Sequence, residues 1–94
     1  MAEETPQTVL DDVGRRVAEL RQERGWTQRH VADALGMLIA DYQAIERGRR
    51  NCTMRTLVHV ARAFGVATRD LFAAPATRGA RRPGRPKRST PAKG

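Results

Sequence analysis

Two runs of amide and guanidinium side chains stand at the edges of apolar-periodic stretches. Thr27-Gln28-Arg29-His30 opens one stretch, and Arg47-Gly48-Arg49-Arg50-Asn51 closes the next. Such groups do hydrogen-bonding chemistry on anions. The first turn of a helix presents free backbone N–H groups and the positive end of its dipole, which favour a phosphate. Gln28 stands at such a start and adds an amide donor, with Arg29 and His30 flanking the same surface. Arg47, Arg49 and Arg50 form a basic loop after the second stretch. A third run, Arg81-Arg82-Pro83-Gly84-Arg85-Pro86-Lys87-Arg88, interleaves basic residues with Pro and Gly.

Other chemistries have little to work with. His30 and His59 lie far apart and Cys52 is the only cysteine, so there is no metal-ligand spacing, no nucleophile–base pair and no intramolecular disulfide. No enzyme, cofactor or metal is expected. Cys52 follows a basic loop, which predicts a thiolate somewhat favoured by its surroundings. Charge placement is more telling. Residues 1–75 hold eleven Lys+Arg and ten Asp+Glu, whereas residues 76–94 hold seven basic residues and no acid. A one-signed tail seeks a polyanion, nucleic acid before an acidic membrane. No stretch is apolar for long enough to span a bilayer, and the acidic N-terminus lacks a signal-peptide core. The expected location is cytoplasmic, at the nucleoid.

The elements that must carry these groups are short. Ninety-four residues bound the chain to one small domain with an aliphatic core. Residues 1–8 read as a flexible start. Leu10, Val13, Val17 and Leu20 keep one helical face, with Thr8 and Asp11 as a capping box. Gly25 stops this helix, Thr27 caps a second with Val31 and Leu35 inside, and Gly36 ends it. Ala32 sits where another helix must approach closely. A third helix fits between Met37 and Arg47 on Tyr42 and Ile45, ended by Gly48. Thr53 caps a fourth with Met54, Leu57, Ala61 and Phe64 inside, ended by Gly65. Thr68 caps a short fifth helix carrying Leu71 and Phe72 before Pro75. Three Thr at N-cap positions and four Gly at left-handed C-cap positions make the punctuation regular. The expectation is an all-α, five-helix domain over residues 9–75. Residues 76–94 cannot bury a core and are expected to be disordered when free.

Residues 13–72 resemble the helix-turn-helix domain of the Xre-like family, which includes phage Cro and phage (lambda-type) repressors. The carrying residues are Gly25-Trp26-Thr27-Gln28, Val31-Ala32, Leu35-Gly36, Ile45-Glu46-Arg47-Gly48 and Thr56-Leu57. Tyr42 through Asn51 is also similar to the small controller proteins of restriction–modification systems. The resemblance implies that residues 38–46 enter the major groove of DNA. It implies that Arg21 pairs with Glu46 to lock the first helix to the third. It also places Arg47, Arg49, Arg50 and Asn51 along the sugar–phosphate backbone, where contacts position more than they specify. Trp26 is expected to cover the core edge. Leu71 and Phe72 either make a twofold dimer contact, so that paired helices read half-sites about one DNA turn apart, or close the monomer core.

One departure matters. Where the family has Ser or Thr to cap the third helix, this chain has Leu38, followed by Ile39-Ala40-Asp41. Ile39, Ala40 and Ala44 cannot hydrogen-bond to base edges, which leaves Gln43, with Asp41 as the alternative, for polar readout. Asp41 repels phosphate unless it accepts from a cytosine amino group or a neighbouring Arg. Three readings stay open: methyl contacts to a T-rich site, specificity supplied elsewhere, or a protein-contact patch at Leu38 and Ile39.

The tail resembles an AT-hook, whose core is Gly-Arg-Pro. Pro83 and Pro86 keep the backbone extended, Gly84 permits close approach, and Arg85 suits the narrow minor groove of A/T sequence, with Arg82, Lys87 and Arg88 on phosphates. Pro83 stands where most AT-hooks have a second Arg. Together these features predict a sequence-selective, homodimeric transcription regulator on double-stranded DNA. The alternatives are an architectural A/T-DNA-binding protein and an antitoxin-type module with a protein partner.

Overall fold

The computed structural model describes residues 3–76. Four α-helices and a closing 3-10 helix follow one another: α1 (Pro6–Glu23), α2 (Gln28–Leu35), α3 (Ile39–Glu46), α4 (Met54–Phe64) and the 3-10 helix Thr68–Phe72. Among the described residues there is no strand. The core is aliphatic apart from Tyr42 and Phe64. It gathers Val13, Val17 and Leu20 of α1, Val31 and Ala32 of α2, Ile45 of α3, Leu57, Val60 and Ala61 of α4, and Leu71. α1 packs on α3 and on the 3-10 helix, and α2 packs on α3 and α4.

Local chemistry sets the boundaries. Thr27 Oγ1 accepts from the His30 N–H, and Thr53 Oγ1 from the Thr56 N–H. Gly25, Gly36, Gly48 and Gly65 all take φ near +70°. Gly36 is the one that aims α3 across α2, since other residues pay a steric cost in that left-handed turn.

The structure corrects several expectations. α1 starts earlier: Thr5 is its N-cap, Pro6 its first residue, and Thr5 and Thr8 form the capping box. Residues 5–8 therefore belong to the helix start, because the fixed φ of Pro6 suits a first turn and its missing N–H costs nothing there. The fifth helix is a 3-10 turn with Ala67, not Thr68, at its N-cap position, and Asp70 Oδ2 accepts from the Ala67 N–H. Met54, on the first turn of α4, is 62% exposed, and Val60 takes the inner position instead. Leu71 is 0% exposed and closes the monomer core, so it is unavailable as a dimer contact, whereas Phe72 beside it is 48% exposed.

Gly14 was not singled out by its sequence context, yet it decides how close α1 and α3 come. A Cβ there would run into the backbone carbonyls of Ile45 and Glu46. Gly lowers helix propensity by about 1 kcal/mol relative to Ala; here it permits a crossing that no side chain would allow.

Candidate nucleic-acid interface

At the centre of the α1–α2–α3 junction is the Glu46 carboxylate, on the last turn of α3. Arg21 of α1 grips it with a forked pair: Nε donates to Oε2 at 2.7 Å and Nη2 to Oε1 at 3.2 Å. Arg21 Nη1 also donates to the Trp26 carbonyl at 2.9 Å, tying the α1–α2 turn into the same junction. The side chains keep 13% and 7% exposure, so the pair is largely dry. Burial pushes the Glu46 carboxyl up, but the Arg21 fork, the neighbouring Tyr42 phenol and the Gln28 amide outweigh it and hold the group below its ordinary range. The bond to Glu46 in turn raises Arg21. The buried Tyr42 phenol is pushed up by burial and by the adjacent Glu46, although its oxygen makes no hydrogen bond of good geometry.

Gln28 does something the sequence did not suggest. Its side chain turns inward from the start of α2: Nε2 donates to Glu46 Oε1 at 2.9 Å, and Oε1 accepts from Gln43 Nε2 at 3.0 Å. The amide expected on a phosphate is thus occupied by α3. What the start of α2 leaves for an anion is its backbone N–H groups, with exposed Arg29 alongside.

α3 has no side-chain N-cap bond, as Leu38 implied, and it begins at Ile39. Leu38 is 72% exposed. Ile39 is half-buried and leans on the core, which removes much of it from the outer face. Ala40 is exposed, and Gln43 and Ala44 are half-exposed. Asp41 pairs with Arg50 at 3.5 Å. That pair answers how an acid sits on this face: it has the neighbouring Arg it needs. Arg47, Arg49 and Asn51 are exposed on the loop after α3. Gln7 Nε2 donates to the Gly48 carbonyl at 2.8 Å, so α1 pins that loop.

Trp26 lies half-buried, stacked on Phe64 at 5.8 Å with His30 tilted over it at 5.0 Å, and covers the core edge. Cys52 departs from expectation. Burial pushes its thiol up, and the opposing pull of Arg50 is smaller, so its thiolate is not favoured. The hook residues Arg82, Gly84, Arg85, Lys87 and Arg88 lie outside the described residues.

A short helix set across another, its ends tied by a buried charge and its outer face carrying small and polar residues, is the helix-turn-helix arrangement. Residues 12–74 match the family model described as a helix-turn-helix domain. The chain belongs to the helix-turn-helix family. It is 42% identical over 59 residues to an uncharacterized HTH-type transcriptional regulator of Sinorhizobium fredii, covering 63% of this chain and 77% of that one. It is 37% identical over 57 residues to the HTH-type transcriptional regulator DdrOP3 of Deinococcus deserti, covering 61% of this chain; the match spans 44%, under half, of that relative. Its fold is similar to the restriction–modification controller protein C.AhdI from Aeromonas hydrophila, with a TM-score of 0.65 and 32% identity over 67% of this chain and 96% of that one. This helix-turn-helix chain is a DNA-binding transcriptional regulator. No helix among the described residues is long and apolar enough to cross a membrane.

Proposed function

We propose that the helix-turn-helix body binds as a homodimer to a two-part DNA site, with α3 in the major groove and the basic tail in the adjacent A/T minor groove. The observation that supports this most is the α2–α3 junction. Gln28 and Arg21 converge on Glu46 and fix α3 with Ala40, Gln43 and Ala44 facing outward. Arg47, Arg49 and Asn51 then stand exposed beside it, where phosphates flank a docked helix. Phe72, exposed next to an apolar groove lined by Val9, Leu10, Val13 and Leu57, is the dimer contact in this reading, in place of the Leu71–Phe72 pair.

Selection of bound sequences from a randomised duplex pool tests the whole reading. It should return two inverted half-sites with centres about one DNA turn apart. Arg47→Ala and Arg49→Ala should weaken binding evenly across sequences and each lower the salt slope by about one. Recovery of A/T-rich DNA without a motif would favour the architectural alternative instead. The likeness to C.AhdI favours a narrower role, control of a restriction–modification operon. In that case the selected half-sites should recur upstream of such genes.

A further inference from the structure

The hydrogen bonds around Glu46 do more than tie helices together. An ionised carboxylate only accepts, so a neighbouring amide must offer it nitrogen. Gln28 does so through Nε2. A flipped Gln28 would set its oxygen against Glu46 Oε1, two acceptors facing each other. Gln28 Oε1 must therefore face Gln43, and Gln43 must answer with Nε2. One charge, held ionised by the Arg21 fork, thus fixes the orientation of two amides in series. Among the described residues nothing else bonds the Gln43 amide. One N–H and the carbonyl oxygen Oε1 remain to it.

That remaining pair is a donor beside an acceptor. Adenine presents its complement in the major groove, N7 as acceptor and the N6 amino group as donor. Guanine presents two acceptors, N7 and O6, and a fixed Oε1 would face one of them. A glutamine free to turn could offer guanine both of its N–H groups. The lock removes that option.

We propose that Gln28 and Glu46 are positioning residues for base selection, holding the Gln43 amide in the orientation that reads adenine and rejects guanine. The proposal rests on the placement of α3 in the major groove. It makes Gln43 the hydrogen-bonding base reader on a helix whose Ala40 and Ala44 are aliphatic and whose Asp41 is paired with Arg50, and it gives a residue on α2 a say in which base is read.

The test uses the full chain. A site selected from a randomised pool is measured by fluorescence anisotropy with each base pair varied in turn. Gln43→Ala identifies the base pair, as the position whose preference disappears. There the unaltered chain should favour adenine over guanine by roughly tenfold. Gln28→Ala, which keeps the Arg21 fork on Glu46, should melt somewhat lower yet stay folded at the assay temperature and still bind, with that ratio falling to about threefold or less and other positions unchanged. Gln43→Glu, which has no N–H to donate, should move the preference toward cytosine, whose amino group a carboxylate accepts. A ratio unchanged in Gln28→Ala, or no position altered by Gln43→Ala, overturns the lock. If the unaltered chain selects no site at all, the major-groove reading itself fails, an outcome distinct from a selected site with unmoved preferences.

Discussion

Glu46 accepts from three donors on two other helices, Arg21 twice and Gln28 once. Removing one member of a buried pair strands the other, which costs more than the pair contributes. Glu46→Ala should therefore destabilise the protein by about 3 kcal/mol and lower the melting temperature by several degrees; an unchanged melting temperature contradicts the role. The pH dependence has a definite sign. The folded carboxyl is held below its ordinary value of 4.5, so its contribution is full above that pH and fades as pH falls through the lower folded value. Urea melts between pH 3 and 6 should show this component in the unaltered chain and not in Glu46→Ala. The ion pair was legible through the family motif, Arg21 and Ile45-Glu46-Arg47-Gly48. The Gln28–Gln43 bond was not, because two glutamines on different helices leave no mark in spacing or periodicity. Cys52 was misjudged for a related reason. The sequence shows the arginines before it, but not the apolar groove that raises its thiol.

Helices and their ends were the readable part. Thr27 and Thr53 cap as their positions suggested, and the four glycines adopt the left-handed turn. The ends of the domain were harder. Thr5-Pro6 starts α1 inside a stretch whose polarity suggested a loose end, and Thr68 begins a 3-10 turn too short to tell from an α-helix by pattern. The α3 cap is the clearest local defect. Leu38→Ser supplies an oxygen for the free N–H groups and should stabilise the protein by about 1 kcal/mol, read as a higher denaturation midpoint; a lower midpoint would mean that Leu38 packs in a way its exposure does not show. Gly14→Ala runs the other way. Better helix propensity is outweighed by collision with the Ile45 and Glu46 carbonyls, and a loss of about 1–3 kcal/mol is expected in the same melts. Gly14 escaped the sequence reading because a close helix crossing is a tertiary fact. Pattern along α1 marks only which face is apolar.

Across the whole molecule, charge and shape are divided. The first 75 residues are nearly neutral, with eleven basic and ten acidic residues, and carry the described fold; the last nineteen supply seven positive charges and no negative one. Affinity drawn from phosphates scales with salt, at roughly 0.9 in slope per contact, while base selection does not. The excess of basic residues in the tail is legible from composition alone, and its hook-like residues lie outside the described residues. The central claim is that the body reads sequence and the tail adds affinity. The measurement that tests it most directly is anisotropy of the full chain and of residues 1–76 on the selected site, on A/T-rich DNA and on G/C-rich DNA across a salt series. The account predicts that the shortened chain binds more weakly and with a shallower salt slope, yet still prefers the selected site. Loss of that preference, with the full chain favouring A/T-rich DNA in general, would contradict it.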